Sequence, residues 1–335
     1  DSDYDLRNKR VAVFGTGASA IQFVPRIQPR VARLHVFQRT PPWVLARPEH
    51  RITEAEKTLL RNVPPIQRLL RSGIYWGAEL GILGLAYDQR LVKPLEALAR
   101  RHLKAQVKDP ALRAKLTPDY RLGCKRILGS YDYYPALTQP NAEVVTVPIE
   151  RVQADRLVTT DGAERKVDAI IFGTGFHVTD NPVAAMVRGR NGQTLQDVWN
   201  GSPQAYLGMT VPGFPNAFLI VGPNTGLGNN SIVFMIEAQV RYVISALEAM
   251  DTHNLATIEV RPEVHAAFQA EVQQRMSGSV WTDGGCRSWY LDRTGRNSTL
   301  WPDFTWRYAL RTRRFDLDNY RARLDLSEQP LASAA

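Results

Sequence analysis

A glycine-containing segment near the start of the chain has the residue types that bind the phosphates of a nucleotide. The sequence RVAVFGTGASAIQ begins at Arg10 and predicts a strand, a tight turn and the start of a helix. Glycines at the turn let the backbone approach a pyrophosphate, and the amides that open the helix point at negative charge. The alternative is a turn that serves only packing. The segment predicts cofactor contacts from Gly15, Thr16, Gly17, Ala18, Ser19, Ala20 and Gln22.

The residues after the next predicted strand indicate which nucleotide binds. NAD-binding folds usually carry Asp or Glu about 20 residues after the glycines, where the carboxylate holds the ribose hydroxyls. This chain has Gln38, Arg39 and Thr40 there, with no acid. A carboxylate would repel a 2′-phosphate, whereas a guanidinium pairs with it. We therefore predict that Arg39 and Thr40 contact NADP rather than NAD. The alternative for Arg39 is a solvated charge at a strand end.

The elements around these residues predict an α/β protein. The glycine turn and the strand up to Thr40 form a β-α-β unit, and a mostly helical insertion follows over about 46–120. Short strands are predicted over 142–147 and 156–176, with a hairpin turn at Asp161-Gly162. A strand over 217–221 and a long amphipathic helix over 230–250 follow.

The composition favours a cytoplasmic protein without a nucleic-acid partner. The chain has 335 residues and a formal net charge of +9, but its basic residues are dispersed and no RNA-binding or zinc-ligand pattern accompanies them. Two cysteines are too few for a disulfide framework, and the acidic first residues do not form a signal peptide. The six histidines are also dispersed, so we predict no metal site.

One apolar run requires a membrane test. The segment IYWGAELGILGLAY, from Ile74 to Tyr87, contains Glu79 and is shorter than the roughly 20 apolar residues of a spanning helix. We expect a buried helix or a pocket-lining segment and no stable membrane insertion. Peripheral membrane contact is the alternative.

Six segments, taken together and in order, resemble one family. They are KRVAVFGTGASAIQ, VFQRTPPWVLARP, GCKRILGSYDYYPAL, VDAIIFGTGF, YLGMTVPGFPNAFLIVGPNTGLGNNS and GRNSTLWPDFTWRY. The family is that of the class B flavoprotein monooxygenases, which includes the Baeyer–Villiger monooxygenases and the flavin-containing monooxygenases. The resemblance covers nearly the whole chain.

The resemblance implies a domain organisation. The chain would correspond to the carboxy-terminal two-thirds of such an enzyme and lack the N-terminal FAD-binding segment. Residues 1–176 would form a Rossmann-like NADP-binding domain that carries the helical insertion. Residues 177–335 would form the C-terminal half of a second, FAD-binding Rossmann-like domain.

The resemblance also implies chemistry at a basic pair. Lys125 and Arg126 in GCKR match the family's Lys/Arg pair. Arg126 would be the catalytic charge that faces flavin and nicotinamide, because a guanidinium stays charged in a dry site. Lys125 would reach the 2′-phosphate of NADP. The alternative is a pair of surface charges.

Further cofactor contacts follow from the same resemblance. The glycine-rich end of the 169–175 strand would contact a cofactor through its backbone, and the loop before the long helix would hold FAD. The alternatives are a compact strand end and a helix cap. The residues concerned are Gly173, Thr174, Gly175, Gly222, Asn224 and Asn230.

The implied function is an NADPH- and FAD-dependent monooxygenase. It would use O2 to oxygenate a small organic molecule, a ketone in a Baeyer–Villiger reaction or a soft heteroatom. This chain would be incomplete, and inactive alone, without a missing FAD-domain segment or a partner chain. Two alternatives remain open: a stand-alone NADP-binding dehydrogenase, and a non-catalytic nucleotide-binding remnant.

Overall fold

The computed structural model describes residues 4–47, 52–176 and 178–324, which form two units. The first contains the described residues of Asp1–Asn62 together with Val92–Phe176, and the second contains Val63–Leu91 together with the described residues that follow Phe176. One boundary between the units lies at Phe176, and the assignment of NADP-binding and FAD-binding domains stays a prediction. The predicted insertion does not stay in one unit, because Val63–Leu91 belongs to the second.

The elements are numbered in chain order. The strands are β1 (Arg10–Phe14), β2 (Arg33–Phe37), β3 (Val44–Leu45), β4 (Leu128–Gly129), β5 (Ala142–Val145), β6 (Ile149–Val152), β7 (Arg156–Thr159), β8 (Glu164–Lys166), β9 (Ala169–Phe172), β10 (Leu255–Val260) and β11 (Tyr320–Leu324). The helices are α1 (Ala20–Ile27), α2 (Glu54–Asn62), α3 (Pro64–Ile82), α4 (Lys93–Gln106), α5 (Pro110–Lys115), α6 (Tyr133–Leu137), α7 (Leu195–Trp199), α8 (Ile232–Thr252), α9 (Pro262–Met276), α10 (Val280–Asp283) and α11 (Thr305–Arg311).

A four-stranded parallel sheet organises the first unit. Its order is β5-β2-β1-β9, so β1 is central and the carboxyl ends of all four strands lie at one edge. Helix α1 returns the chain from β1 to β2, because a parallel pair requires a crossover connection. This arrangement confirms the predicted α/β, Rossmann-like fold.

Alternation along β1 divides its side chains between two apolar layers. Successive side chains of a strand point to opposite faces of the sheet. Val11 and Val13 pack with Val24 of α1 on one face. Ala12 packs with Leu157 of β7 on the other face. The sheet is therefore buried on both sides, as the apolar sequence of β1 requires.

The antiparallel strands β6, β7 and β8 form a separate three-stranded sheet. The turn between β7 and β8 contains Gly162 at a φ of 80°, a region that glycine adopts without steric cost. The Thr159 hydroxyl donates to the Asp161 carboxylate within this turn (2.5 Å). The predicted hairpin at Asp161-Gly162 is confirmed.

The second unit has an aromatic core around α8. Buried side chains of this core include Tyr206, Tyr242, Phe268 and Tyr308, and the antiparallel pair β10–β11 packs beside them. The predicted long helix over 230–250 is confirmed as Ile232–Thr252.

The predicted strand over 217–221 is wrong. The amide of Leu219 donates to the carbonyl of Met209 (2.8 Å), but these residues join no strand ladder among the described ranges. Val221 has a φ of 57°, which interrupts an extended backbone, and its amide donates to the side chain of Gln239 (2.9 Å). An apolar run is therefore present without the neighbouring strand that would make it part of a sheet.

The apolar run from Ile74 to Tyr87, expected to be a buried helix or a pocket-lining segment, is buried only in part: Leu85 is buried, and Trp76 lines an open groove. It includes the second half of α3 and a π-helical turn over Leu83–Tyr87. Ile74 is 67% exposed and Leu80 is 64% exposed, whereas Glu79 is buried. No helix in the described part of the chain is both long and apolar enough to cross a bilayer.

Candidate functional site

Backbone hydrogen bonds bring three loops together at the carboxyl edge of the parallel sheet. The amide of Gly15, after β1, donates to the carbonyl of Phe37 in β2 (3.1 Å). The amide of Gly173, after β9, donates to the carbonyl of Phe14 in β1 (2.8 Å). In open α/β sheets this edge is where ligands bind. The predicted residues of these three loops therefore lie in one place.

The glycines at 15 and 173 permit a backbone contact that a side chain would block. Gly15 has a φ of 107°, and a Cβ there would lie 2.3 Å from the carbonyl oxygen of Gly173. A Cβ on Gly173 would lie 3.3 Å from the carbonyl oxygen of Phe14. Thr16 is buried, and its hydroxyl donates to the carbonyl of Thr40 (3.2 Å). Thr40 thus supports the turn through its backbone.

Gly17 serves a different purpose, because the space around it is open. A Cβ on Gly17 would meet no atom within 4 Å. In the described residues, no backbone hydrogen bond is donated by the amides of Gly17, Ala18 or Ser19. These amides come just before α1, which begins at Ala20, so they can donate to a phosphate. The side chain of Gln22 instead bonds the carbonyl of Ala18 (2.8 Å).

Two cations of the first unit, Arg39 and Lys125, act on each other electrostatically. Arg39 is exposed after β2, and Lys125 is half-buried. Burial lowers the pKa of the Lys125 ammonium, and the positive charge of Arg39 lowers it further, while Asp119 opposes both effects. The two side chains are therefore close enough to repel each other. An anion bound between them would relieve that repulsion.

Tyr120 holds Lys125 in position. The ammonium of Lys125 lies 5.1 Å from the centroid of the Tyr120 ring. The Tyr120 hydroxyl donates to the carbonyl of Pro41 (2.9 Å), and the Tyr120 carbonyl accepts from the indole of Trp43 (2.8 Å). Arg100 stacks on the Trp43 ring at 5.1 Å. Sequence reasoning missed the role of Tyr120, whose only signal was its position five residues before Lys125.

Arg126 is exposed and next to Lys125 in the chain. Its guanidinium makes no ion pair or hydrogen bond with any residue that the structure describes. It can therefore turn towards a ligand without breaking a contact. Its predicted catalytic role stays a prediction.

The end of the β9 loop is also open. Thr174 and Gly175 are exposed, and Gly175 has a φ of 96°. A Cβ on Gly175 would meet no atom within 4 Å. Their predicted cofactor contacts would come from the backbone. The Asp168 carboxylate, at the opposite end of β9, is structural: it accepts from the Arg10 amide (2.7 Å) and from the Arg10 guanidinium Nε (3.0 Å).

The three residues predicted to hold FAD lie in the second unit, where each has a structural role. A Cβ on Gly222 would lie 2.2 Å from the carbonyl oxygen of Gly208. The Asn224 amide donates to the carbonyls of Asn297 (2.8 Å) and Leu300 (3.1 Å). Their predicted flavin contacts stay a prediction.

Asn230, the third of them, bonds a buried acid. Its side-chain amide donates to the Glu79 carboxylate (2.6 Å), and its side-chain oxygen accepts from the Ser231 amide (2.8 Å). Glu79 also accepts from the amide (2.9 Å) and the hydroxyl (2.7 Å) of Thr305. Sequence reasoning noticed Glu79 only as a charge in an apolar run. Its burial in a polar network was not predictable from that run.

Comparison with known proteins identifies relatives of this chain. No protein-family model matches the chain. A Baeyer–Villiger monooxygenase of Pseudomonas aeruginosa is 50% identical over 334 residues, which are 99% of this chain and 63% of that protein. The FAD-binding monooxygenase ktnD of Aspergillus niger is 36% identical over 324 residues, which are 92% of this chain and 52% of that protein.

A solved structure that superposes on this chain is also that of a monooxygenase. The structure of an oxidized steroid monooxygenase bound to NADP superposes with a TM-score of 0.79 and 26% identity, over 97% of this chain and 68% of that one. The chain thus spans 63% and 52% of the lengths of the two curated relatives. Over the part of their length that it spans, this chain belongs to the class B flavoprotein monooxygenases, the family of the Baeyer–Villiger enzymes.

Proposed function

We propose that the first unit binds NADPH at the carboxyl edge of its parallel sheet. The observation that carries this proposal is the pair Arg39 and Lys125, two mutually repelling cations, together with the absence of an acid in the residues that follow β2. The 2′-phosphate distinguishes NADPH from NADH, and it supplies the anion that this pair requires. An acid at the end of β2 would favour NADH instead.

The glycine turn would hold the pyrophosphate. The free amides of Gly17, Ala18 and Ser19 can donate to its oxygens, and the open space at Gly17 admits its approach. The dipole of α1 adds positive potential at the same point. The backbone of the Gly173-Thr174-Gly175 loop adjoins this turn and can contact the nicotinamide half of the dinucleotide.

We further propose that the chain contributes to an NADPH- and FAD-dependent monooxygenase. The names of the two relatives and the NADP in the steroid monooxygenase support this assignment. FAD, when bound, supplies the redox chemistry that passes electrons from NADPH to O2 and oxygenates an organic substrate, a ketone or a soft heteroatom. We propose the cytoplasm as its location, because that compartment supplies NADPH.

The residues of this chain would bind and orient the cofactors. Arg126 would hold a fixed positive charge near the reacting groups, since a guanidinium keeps its proton in a dry site. Asn224 offers one feature that suits a flavin: its side-chain oxygen is buried and has no hydrogen-bond partner among the described residues. A ring N–H could donate to it.

A protein partner or a further FAD-binding segment would complete the enzyme. An exposed apolar row on α8 supports this part of the proposal, because such a row is normally covered by protein. Its members recur at helical spacing and are 42–55% exposed; they are Val233, Val240, Ile244 and Leu247.

Titration of the purified chain with NADPH and NADH tests the proposal. We expect tighter binding of NADPH, by at least about tenfold, because one charge-assisted hydrogen bond contributes about 1.5–3 kcal/mol. Adding NaCl should reduce the preference, since it depends on charge. Equal affinities, or a preference for NADH, would reject the NADPH site.

A further inference from the structure

Helix α3 of the second unit turns an apolar face outward. It has 19 residues, which give a length of about 28 Å. At 3.6 residues per turn its exposed apolar side chains and its three glycines, Gly73, Gly77 and Gly81, fall on one side. The apolar side chains on this side form the apolar stripe. They are 39–75% exposed and are Ile66, Leu69, Leu70, Ile74, Trp76 and Leu80.

Polar contacts on the opposite side fix this orientation. Glu79 is 1% exposed and accepts hydrogen bonds from Asn230 and Thr305. The Tyr75 hydroxyl lies 3.0 Å from the Thr305 hydroxyl, and the Tyr75 ring packs against Phe234 at 5.1 Å. Rotating α3 to bury the stripe would leave the Glu79 carboxylate without these partners, which is costly for a buried acid. The stripe therefore faces outward by construction.

A basic groove adjoins one edge of the stripe. It has a volume of about 620 Å³, and Trp76 belongs both to its lining and to the stripe. The lining also includes Leu310 and three arginines, Arg241, Arg313 and Arg314. These three guanidiniums are exposed, and no carboxylate of the described chain lies within 4 Å of them. The groove therefore combines aromatic surface with uncompensated positive charge.

We propose that the apolar stripe and the basic groove dock the protein on the surface of a bilayer that contains anionic lipids. A helix that lies in the plane of a membrane has a broad apolar face, tryptophan near the interface and basic residues at its side. The three arginines would meet lipid phosphates, and the overall charge of +9 would add attraction. This docking is peripheral and requires no spanning helix.

Charge favours a lipid surface over a second copy of the chain. In a two-fold dimer the same patch meets itself, so the arginine cluster of one copy would approach that of the other. No exposed acid lines the groove to compensate for them. An anionic bilayer supplies apolar depth and negative charge together.

Co-sedimentation of the full chain with lipid vesicles tests the proposal. We expect binding to vesicles of mixed phosphatidylcholine and phosphatidylglycerol, weakening as salt rises, and little binding to phosphatidylcholine alone. Ile74→Glu should reduce the affinity at least about tenfold, because it removes one buried side chain from the contact. Arg313→Gln and Arg314→Gln should each reduce it about fivefold.

Matched controls come from α4 in the first unit. Leu98 is 58% exposed and Arg101 is exposed, so Leu98→Glu and Arg101→Gln repeat the chemistry outside the patch and should leave vesicle binding unchanged. Circular dichroism of each variant checks folding, and the arginine variants test the proposal even if Ile74→Glu does not fold. Equal binding by wild type and the patch variants would overturn it. So would a vesicle-free dimer that Ile74→Glu or the arginine variants dissociate, since the occupant would then be a second copy.

Discussion

Replacing Lys125 by methionine isolates the charge that we expect to recognise the 2′-phosphate. Methionine keeps an unbranched side chain that can cover the Tyr120 ring, so the change removes the ammonium and little packing. A hydrogen bond to a charged group contributes about 1.5–3 kcal/mol, which corresponds to a factor of about 10 to 150 in affinity. We expect NADPH to bind Lys125→Met more weakly by that factor. NADH, which has no 2′-phosphate, should bind within about twofold of the wild type.

The same structure predicts the behaviour of the ligand-free variant. Burial and Arg39 both lower the pKa of Lys125, so the charged lysine is held in a site that disfavours it. Removing that charge should leave the free energy of unfolding unchanged or slightly higher. A chain that loses NADPH affinity without losing stability would separate a binding role from a structural one.

Two measurements complete this test. Fluorescence titrations give both affinities, and urea denaturation gives the stability. Lys166→Met is the matched control, because Lys166 is an exposed lysine of the same unit in β8. The reasoning fails if Lys125→Met keeps the wild-type ratio of NADPH to NADH affinity.

Four further results are expected. Gly15→Ala should lower the free energy of unfolding by at least about 1–2 kcal/mol, because the positive φ disfavours a side chain and the added Cβ would strike a carbonyl. Gly17→Ala should change the free energy of unfolding by less than about 0.5 kcal/mol, yet it should weaken dinucleotide binding more than tenfold. Denaturation measures the effect of each variant on stability, and ligand titration measures its effect on binding. The affinity for NADPH should fall as the pH rises through the pKa of Lys125, because the phosphate binds the charged ammonium. This fall should occur at a lower pH than for an ordinary lysine with a pKa of 10.5, since the pKa of Lys125 is lowered. An affinity for NADPH that stays constant with pH, as that for NADH should, would contradict this. Hydrogen bonds from Arg10 hold the pKa of Asp168 well below 3.8, so this carboxylate stabilises the fold above pH 3.8, and its contribution is lost as the pH falls through its native pKa. Asp168→Asn should therefore lower the denaturation midpoint at pH 7 and lower it less in strong acid. Equal decreases of the midpoint at the two pH values would contradict this prediction.

The fold of the first unit was predictable where local pattern and tertiary structure agree. The sequence from Arg10 carries a strand, a glycine turn and a helix in immediate succession, and β1, α1 and β2 formed as predicted. The turn at Gly162 was equally clear, because a local hydrogen bond and a positive φ decide it. Such features depend on neighbours in the sequence, which a single chain displays.

The failures share a dependence on distant residues. The apolar run at 217–221 has the composition of a strand, but strand formation needs a partner, and Val221 adopts a positive φ instead. The run from Ile74 was expected to be buried or to line a pocket because it is apolar, whereas Ile74 and Leu80 are exposed and Glu79 is buried with a partner, Thr305, that lies 226 residues away. Hydropathy alone therefore did not identify the buried face of α3.

The candidate site divides in the same way. The glycine turn and the absence of an acid near Arg39 were visible in the sequence. The proximity of Lys125 to Arg39 came from a family resemblance, and Tyr120, which positions the lysine, was missed. A contact between residues far apart in the chain leaves no local pattern from which to infer it.

The bonds between Trp43 and Tyr120, and between Tyr120 and Pro41, have an evolutionary consequence. They join residues 77 and 79 positions apart. The loop that they close is within the first unit at both ends, and it contains the excursion of Val63–Leu91 into the second unit. The entropy of closing such a loop changes only slowly with its length. Evolution can therefore lengthen, shorten or replace the Val63–Leu91 segment while the glycine turn and the residues after β2 are kept. New surface properties can arise in that segment without a change in how the cofactor is recognised.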